Sequence, residues 1–354
     1  MNTVGHQSGE RGGGAVWTVA EHAGGSLSPI SYELLAWGRR LTQGLAAAGR
    51  QGAELCSVVL GGSLERSELR ELILRGADKV YVAQSPAFEH ALVEPCAGAL
   101  EHLIRRHMPE IVVAGATTFG RTLMPYVAVR IPTGLTADCT DLDIDAQTGD
   151  LVQTRPAVGG NVLATILTGR HRPQMATVRP RSEAPPARVE GRTGRIVDAQ
   201  VPNELLTSRT EWLAMRGFPD NEESIQEAEK IVSGGRGLRK AENFAVVREL
   251  AGALGAAVGA SRDAVDRGWA PYPHQVGLSG KTVSPRLYVA VGISGAIQHL
   301  AGMRTAGCVV AINSDPEAQM LQAADLSVVG DLFEVVPALI EEIRRRKANK
   351  ERPG

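Results

Sequence analysis

The chain has 354 residues, enough for about two domains that each bury a core. A net charge of -1 provides no basic field for nucleic acid, and 40 glycines with only 4% aromatic residues favour a parallel α/β architecture over an all-β sandwich. Cys56, Cys96, Cys139 and Cys308 stand far apart without a CxxC, so no metal cluster is expected, and no apolar run reaches the ~18 residues of a membrane span.

The polar, glycine-rich stretch 1–14 lacks the apolar core of a signal peptide and reads as a disordered lead-in to a soluble protein of a reducing compartment, such as the bacterial cytoplasm. A first α/β domain is expected over 15–200. It opens with a strand at Ala15–Ala20, then a helix capped by Ser28 with Pro29 at its first position and Leu34, Leu35, Leu41 and Leu45 as its apolar stripe. Strands at Ser57–Leu60, Lys79–Ala83 and Glu110–Ala114 alternate with helices near 65–74, 92–104 and 121–129, the rhythm of a doubly wound, mostly parallel sheet. Gly115–Arg121 follows a strand where a nucleotide sits in such folds, but a helix start capped by Thr117 or Thr118 is the preferred account.

After Ile131 the texture turns to strands. Asp141, Asp143 and Asp145 are spaced like the start of a calcium loop, yet Ala146 and Val152 stand where that loop needs glycine and glutamate, so a solvated strand face backed by Leu142 and Ile144 is the expectation. From Pro180 onward prolines and charges dominate, interrupted by Ile196-Val197 and Trp212-Leu213; residues 201–226 read as a linker.

The domain expected over 227–354 repeats the alternation, with strands at Glu229–Ser233, Ala257–Ala260, Arg286–Val291, Gly307–Ile312 and Leu326–Val329. Four glycine-bearing motifs lie in or next to strand ends: Ser233–Gly237, Gly259–Arg262, Gln275–Gly280 and Gly292–His299. Glycine lets a backbone approach a ligand, and a following helix start aims free N–H groups at an anion. In order along one sheet, these motifs read as the grip on a single phosphate-bearing ligand. Ser294 with the Gly295 and Ala296 amides, and Ser261, suit a diphosphate, with Arg236 or Arg262 neutralising it. Asn313 and Asp331 suit ribose or adenine, and Ser279 and His299 remain as donors of the kind a flavin ring needs.

Residues 232–336, including Ala290–Met303 and Val310–Ala318, resemble the FAD domain of the electron-transfer flavoprotein α subunit family, and Gly134–Asp141 and Thr154–Asn161 extend the likeness over nearly the whole chain from Val16. The resemblance implies a Rossmann-like C-terminal domain holding FAD noncovalently, and a heterodimer with a β subunit that carries AMP or a second FAD. It implies a site of Arg236, Ser261, Arg262, Val276, Gly277, Leu278, Ser279, Ser294, Gly295, Ala296, Ile297, Gln298, His299, Asn313, Asp331 and Leu332. Within it, Ser279 would face the flavin N5, Arg262 the ring system, and His299 the C2 carbonyl, where negative charge gathers on reduction. Leu278-Ser279 stands where many members have glutamine-threonine; the hydroxyl is kept and an amide is lost.

The implied activity is that of an electron carrier rather than a substrate-converting enzyme. It would take electrons from flavin dehydrogenases, such as the acyl-CoA dehydrogenases of fatty acid β-oxidation, and pass them to a quinone oxidoreductase. The Thr154–Asn161 form is closer to electron-bifurcating members, which use NADH and reduce ferredoxin or flavodoxin, or to members supplying nitrogenase. A nucleotide-binding module without redox activity is the reading from another class. An NAD dehydrogenase is disfavoured because no GxGxxG opens the first βα turn.

Overall fold

The computed structural model describes residues 14–157, 162–214, 224–226 and 228–350. The chain divides into two compact units, the first ending at Ala214 and the second containing everything described from residue 224 onward. The expected lead-in lies outside the described residues except for Gly14, as do residues 215–223 of the expected linker and the end of the Thr154–Asn161 motif.

In the first unit the elements run β1 (Val16–Ala20), β2 (His22–Ala23), β3 (Ser26–Leu27), α1 (Pro29–Ala47), β4 (Leu55–Gly61), α2 (Arg66–Leu74), β5 (Lys79–Gln84), α3 (Val93–His107), β6 (Ile111–Gly115) and α4 (Thr118–Arg130). They continue with β7 (Leu135–Cys139), β8 (Asp141–Ile144), β9 (Leu151–Ala157), β10 (Val162–Leu167), β11 (Gln174–Val178) and β12 (Arg195–Asp198). Seven strands form one sheet in the order β12-β5-β4-β1-β6-β11-β7, with every neighbouring pair parallel. Alternate residues of β1 face opposite cores, Val16 and Ala20 packing on α1 and α2, Trp17 and Val19 on α3 and α4. Buried on both faces, the central strands carry the continuous apolar runs that a parallel sheet requires.

Several local expectations need correction. Pro29 does open α1, but the Ser28 side chain makes no capping bond. Ile196 and Val197, read as an apolar interruption before the linker, belong to β12, which pairs in parallel with β5. The expected linker also begins inside this unit, because Asn203–Leu206 forms a short 3-10 turn whose Leu205 carbonyl lies where a Cβ on Gly98 of α3 would be. Thr117 caps α4 by accepting a hydrogen bond from the Gly120 amide at 3.0 Å, which accounts for the Gly115–Arg121 motif structurally. Asp141 and Asp143 lie on the exposed face of β8 with Leu142 and Ile144 buried beneath, and no cluster of metal-ligating residues occurs among the described residues.

One buried acid stands out in this unit. Glu33 of α1 is 6% exposed, and its carboxylate accepts a 2.6 Å hydrogen bond from the Arg181 amide. Burial outweighs that bond and the nearby Arg181 charge, and raises its pKa to about 7.

The second unit contains β13 (Lys230–Gly234), α5 (Phe244–Leu254), β14 (Ala257–Ala260), α6 (Arg262–Asp266), β15 (Leu287–Val291), α7 (Ile297–Met303), β16 (Val309–Asn313), α8 (Gln319–Gln322), β17 (Leu326–Val329) and α9 (Leu332–Lys350). Its five strands are all parallel in the order β14-β13-β15-β16-β17. Phe244, Val247 and Leu250 of α5 pack with Val336 and Ile340 of α9 on one face, and Met303, Met320 and Leu321 cover the other.

Candidate functional site

Strand order in the second sheet reverses between β13 and β15, and at such a switch point the loops leaving the carboxyl ends diverge and open a crevice. The floor is tight. Gly235 donates to the Val291 carbonyl and Gly237 to the Gly292 carbonyl, both at 2.9 Å, and a Cβ on Gly237 would lie 2.7 Å from the Gly292 Cα. Only glycine allows the two turns to meet backbone to backbone. Above them lies a cleft of about 590 Å³, within the size range of cofactor sites.

Of the residues expected in the site, Arg236, Ser261, Arg262, Val276, Gly277, Leu278, Ser279, Ser294, Ala296, Gln298, His299 and Asn313 line this cleft, joined by Gly237, Asp263, Asp266, Gly292, Ile293 and Asp315. Gly295, Ile297, Asp331 and Leu332 are not among its lining residues. Gly295 acts from behind, holding the turn at φ +85. Asp331 starts α9, its carboxylate accepting from the Phe333 amide at 2.9 Å and pairing with Arg239 at 3.5 Å, and Leu332 is buried in the core beneath Gly292.

The two cationic side chains are loosely held. Arg236 reaches Asp263 at 3.9 Å and Arg262 reaches Asp266 at 3.3 Å, but with 73% and 69% of the side chains exposed these pairs are weak and yield readily to a ligand anion. Spacing on α6 explains the carboxylates that sequence reading missed: Asp266 follows Arg262, and Arg267 follows Asp263, by one helical turn each. The Ser261 hydroxyl accepts from the Ala264 amide at 3.3 Å, so it caps α6. Ser279 Oγ accepts from Gln275 Nε2 at 3.0 Å, which leaves its own hydroxyl hydrogen for a ligand. Leu278 is 64% exposed on the rim. Asn313 braces the loops rather than standing free, donating to the Ile293 carbonyl at 2.9 Å while its oxygen accepts from the Asp315 amide at 3.1 Å.

Ser294 is exposed, its carbonyl accepting from the Met320 amide at 3.1 Å, and no described group accepts from the amides of Gly295 and Ala296. His299, in the first turn of α7, is turned inward: Nε2 lies 2.9 Å from the Tyr288 hydroxyl, while Nδ1 is buried without a hydrogen-bond partner among the described residues. Burial lowers the imidazole pKa to about 4, so the ring is neutral near pH 7. The open Ala296 amide, the Ser279 hydroxyl hydrogen and two loosely held guanidinium groups border one cleft, and an anionic, hydrogen-bonding cofactor would give each of them a partner.

A cleft of this kind, at the switch point of a parallel sheet, defines a nucleotide-cofactor protein. The comparisons narrow that class to flavoproteins. The Electron transfer flavoprotein domain family matches residues 16–204, and the Electron transfer flavoprotein FAD-binding domain family matches residues 224–304. An electron transfer flavoprotein subunit alpha from Thermoanaerobacterium thermosaccharolyticum is 45% identical over 94% of this chain and 98% of its own length. One from Clostridium acetobutylicum is 42% identical over 93% and 96%, and a protein FixB from Azotobacter vinelandii is 43% identical over 96% and 93%. Among solved structures, a thiamin diphosphate-dependent enzyme from Mycobacterium smegmatis is similar only at a TM-score of 0.25 and 14% identity, covering 92% of this chain and 59% of that one. The chain belongs to the electron transfer flavoprotein α subunit family, and its second unit is a flavin-binding domain. That family pairs with a β subunit, and no helix among the described residues is long and apolar enough to cross a membrane.

Proposed function

We propose that this chain holds one FAD in the cleft of its second unit and works as the electron-carrying half of a heterodimer with a β subunit. The β subunit would hold AMP or a second FAD. Electrons would arrive from flavin dehydrogenases such as acyl-CoA dehydrogenases and leave to a quinone oxidoreductase. The observation that carries this reading is the convergence of the Ala296 amide, the Ser279 hydroxyl and two loosely held guanidinium groups on one cleft at the switch point. When bound, the flavin supplies the one- and two-electron chemistry. The chain's own residues bind and tune it: Arg236 neutralises the diphosphate, the Ala296 amide donates to it, and Arg262 lies against the ring system. Ser279 offers its hydroxyl hydrogen near the ring, Leu278 shields the rim from water, and His299 presents a neutral donor where negative charge gathers on reduction.

Co-purification with the β subunit, with bound flavin counted, tests the reading; a colourless pair that takes up no FAD overturns it. Replacing His299 with alanine is expected to lower the yield of one-electron-reduced flavin in a reductive titration more than it lowers FAD affinity. An unchanged yield would remove His299 from that role. Arg262→Ala is expected to shift the flavin midpoint potential, and an unaltered potential and spectrum count against its contact with the ring.

A second reading, electron bifurcation from NADH to ferredoxin or flavodoxin, or electron supply to nitrogenase, is favoured by the described part of the Thr154–Asn161 motif and by relatives named FixB at identities close to those named electron transfer flavoprotein. Two flavins per heterodimer and rapid reduction by NADH would select it.

A further inference from the structure

Beneath the cleft a short chain of polar groups is sealed into the apolar face formed by Met303, Ala290 and Ile231. Tyr288 of β15 is fully buried, and its hydroxyl has the His299 ring as its hydrogen-bond partner at 2.9 Å. The buried Ser233 hydroxyl lies beside the phenol oxygen and has no other partner among the described residues. A tyrosine in a strand interior leaves its hydroxyl somewhere, and here it is spent on the ring nitrogen that points away from solvent. Burial raises the phenol pKa and lowers that of the imidazole, so the pair is neutral on both sides. Between a neutral phenol and a neutral imidazole the polarity is set by chemistry: the phenol is the stronger acid and the imine nitrogen the stronger base, so the bond runs O–H to Nε2.

The consequence falls on the other nitrogen. With Nε2 accepting, the ring proton sits on Nδ1, the atom that has no hydrogen-bond partner among the described residues. The Val276 carbonyl is close enough to favour the protonated ring slightly, but it does not meet Nδ1 in hydrogen-bonding geometry. We propose that Tyr288 is a positioning residue whose buried hydroxyl fixes the tautomer and orientation of the His299 ring at the edge of the cleft. Its effect on a flavin rests on the reading above; the tautomer itself does not.

The test uses the assembled heterodimer with histidine ring nitrogens labelled with 15N. The parent protein is expected to show His299 with Nδ1 protonated and Nε2 bare. Tyr288→Phe is expected to shift the tautomer ratio toward Nε2–H by roughly fivefold, the worth of one buried hydrogen bond. The same variant should lower the yield of one-electron-reduced flavin while FAD content stays at the parent level. A purely structural tyrosine would move stability and leave the tautomer alone. Nε2–H in the parent protein overturns the proposal, and that measurement stands even where the phenylalanine variant fails to assemble. A parent-like tautomer and yield in an assembled Tyr288→Phe pair overturns it as well. A pair that binds no flavin yet shows Nδ1–H sinks the flavin reading and upholds the hold of Tyr288 on the ring.

Discussion

Gly295→Ala is expected to strip flavin from the assembled protein, with affinity falling by about a hundredfold, or ~2.7 kcal/mol. Two independent terms produce that loss. At φ +85 an L-residue pays ~1–2 kcal/mol for left-handed backbone, and the new Cβ would lie 2.2 Å from the Met320 nitrogen and 2.8 Å from the Gln319 carbonyl carbon. Both neighbours are backbone, so no rotamer change relieves the contact. The turn must move, and with it the Ala296 amide that the cleft presents. Flavin content after gel filtration, with fluorescence titration of FAD into the variant, measures the effect. Gly252→Ala is the control: Gly252 sits on the open face of α5 with nothing within 4 Å of an added Cβ, and it should gain ~0.5–1 kcal/mol of stability while keeping its flavin. A Gly295→Ala protein with stoichiometric flavin would show that the turn plays no part in holding the cofactor.

Glu33→Gln is expected to stabilise the protein at about pH 8 by up to about 3 kcal/mol and to leave it near the parent value at about pH 4.5. The folded protein holds the Glu33 proton up to about pH 7, whereas the unfolded chain releases it near the model value of 4.5. Between those two values the folded state therefore binds more protons, and its stability falls as pH rises. Above pH 7 the charged carboxylate is buried with one amide donor, the Arg181 N–H, and the nearby Arg181 charge to offset its lost hydration. Glutamine keeps an oxygen for that amide and carries no charge. Urea unfolding at a series of pH values checks this, since other titrating groups cancel in the difference between the two proteins. Curves that run parallel from pH 5 to pH 8 would mean that burial does not perturb Glu33.

Much of the fold was readable because parallel sheets leave simple marks. The apolar runs of β13 to β17 and the glycines beside β13, β14 and β15 gave the second unit its element order, and the four glycine motifs gave the cleft. β12 was missed because four residues flanked by charge, within a stretch rich in proline, carry no periodicity of their own; only pairing with β5 makes them a strand. Asn313 and Asp331 read as ligand groups because they sit at or just past strand ends, where caps and ligands use the same residue types; the structure uses Asn313 to brace two loops and Asp331 to start a helix. Tyr288 was passed over for the opposite reason. In an apolar strand it reads as bulk, and the signal that marks it is its hydroxyl, which a buried tyrosine always has to place.

The position of β12 has a consequence for synthesis on the ribosome. It closes the edge of the first sheet beside β5, yet it is translated after β11 and after every helix of that sheet. Until it emerges, β5 presents an open row of amides and carbonyls, and a nascent chain halted short of residue 195 carries a sticky, unfinished margin for chaperones to shield.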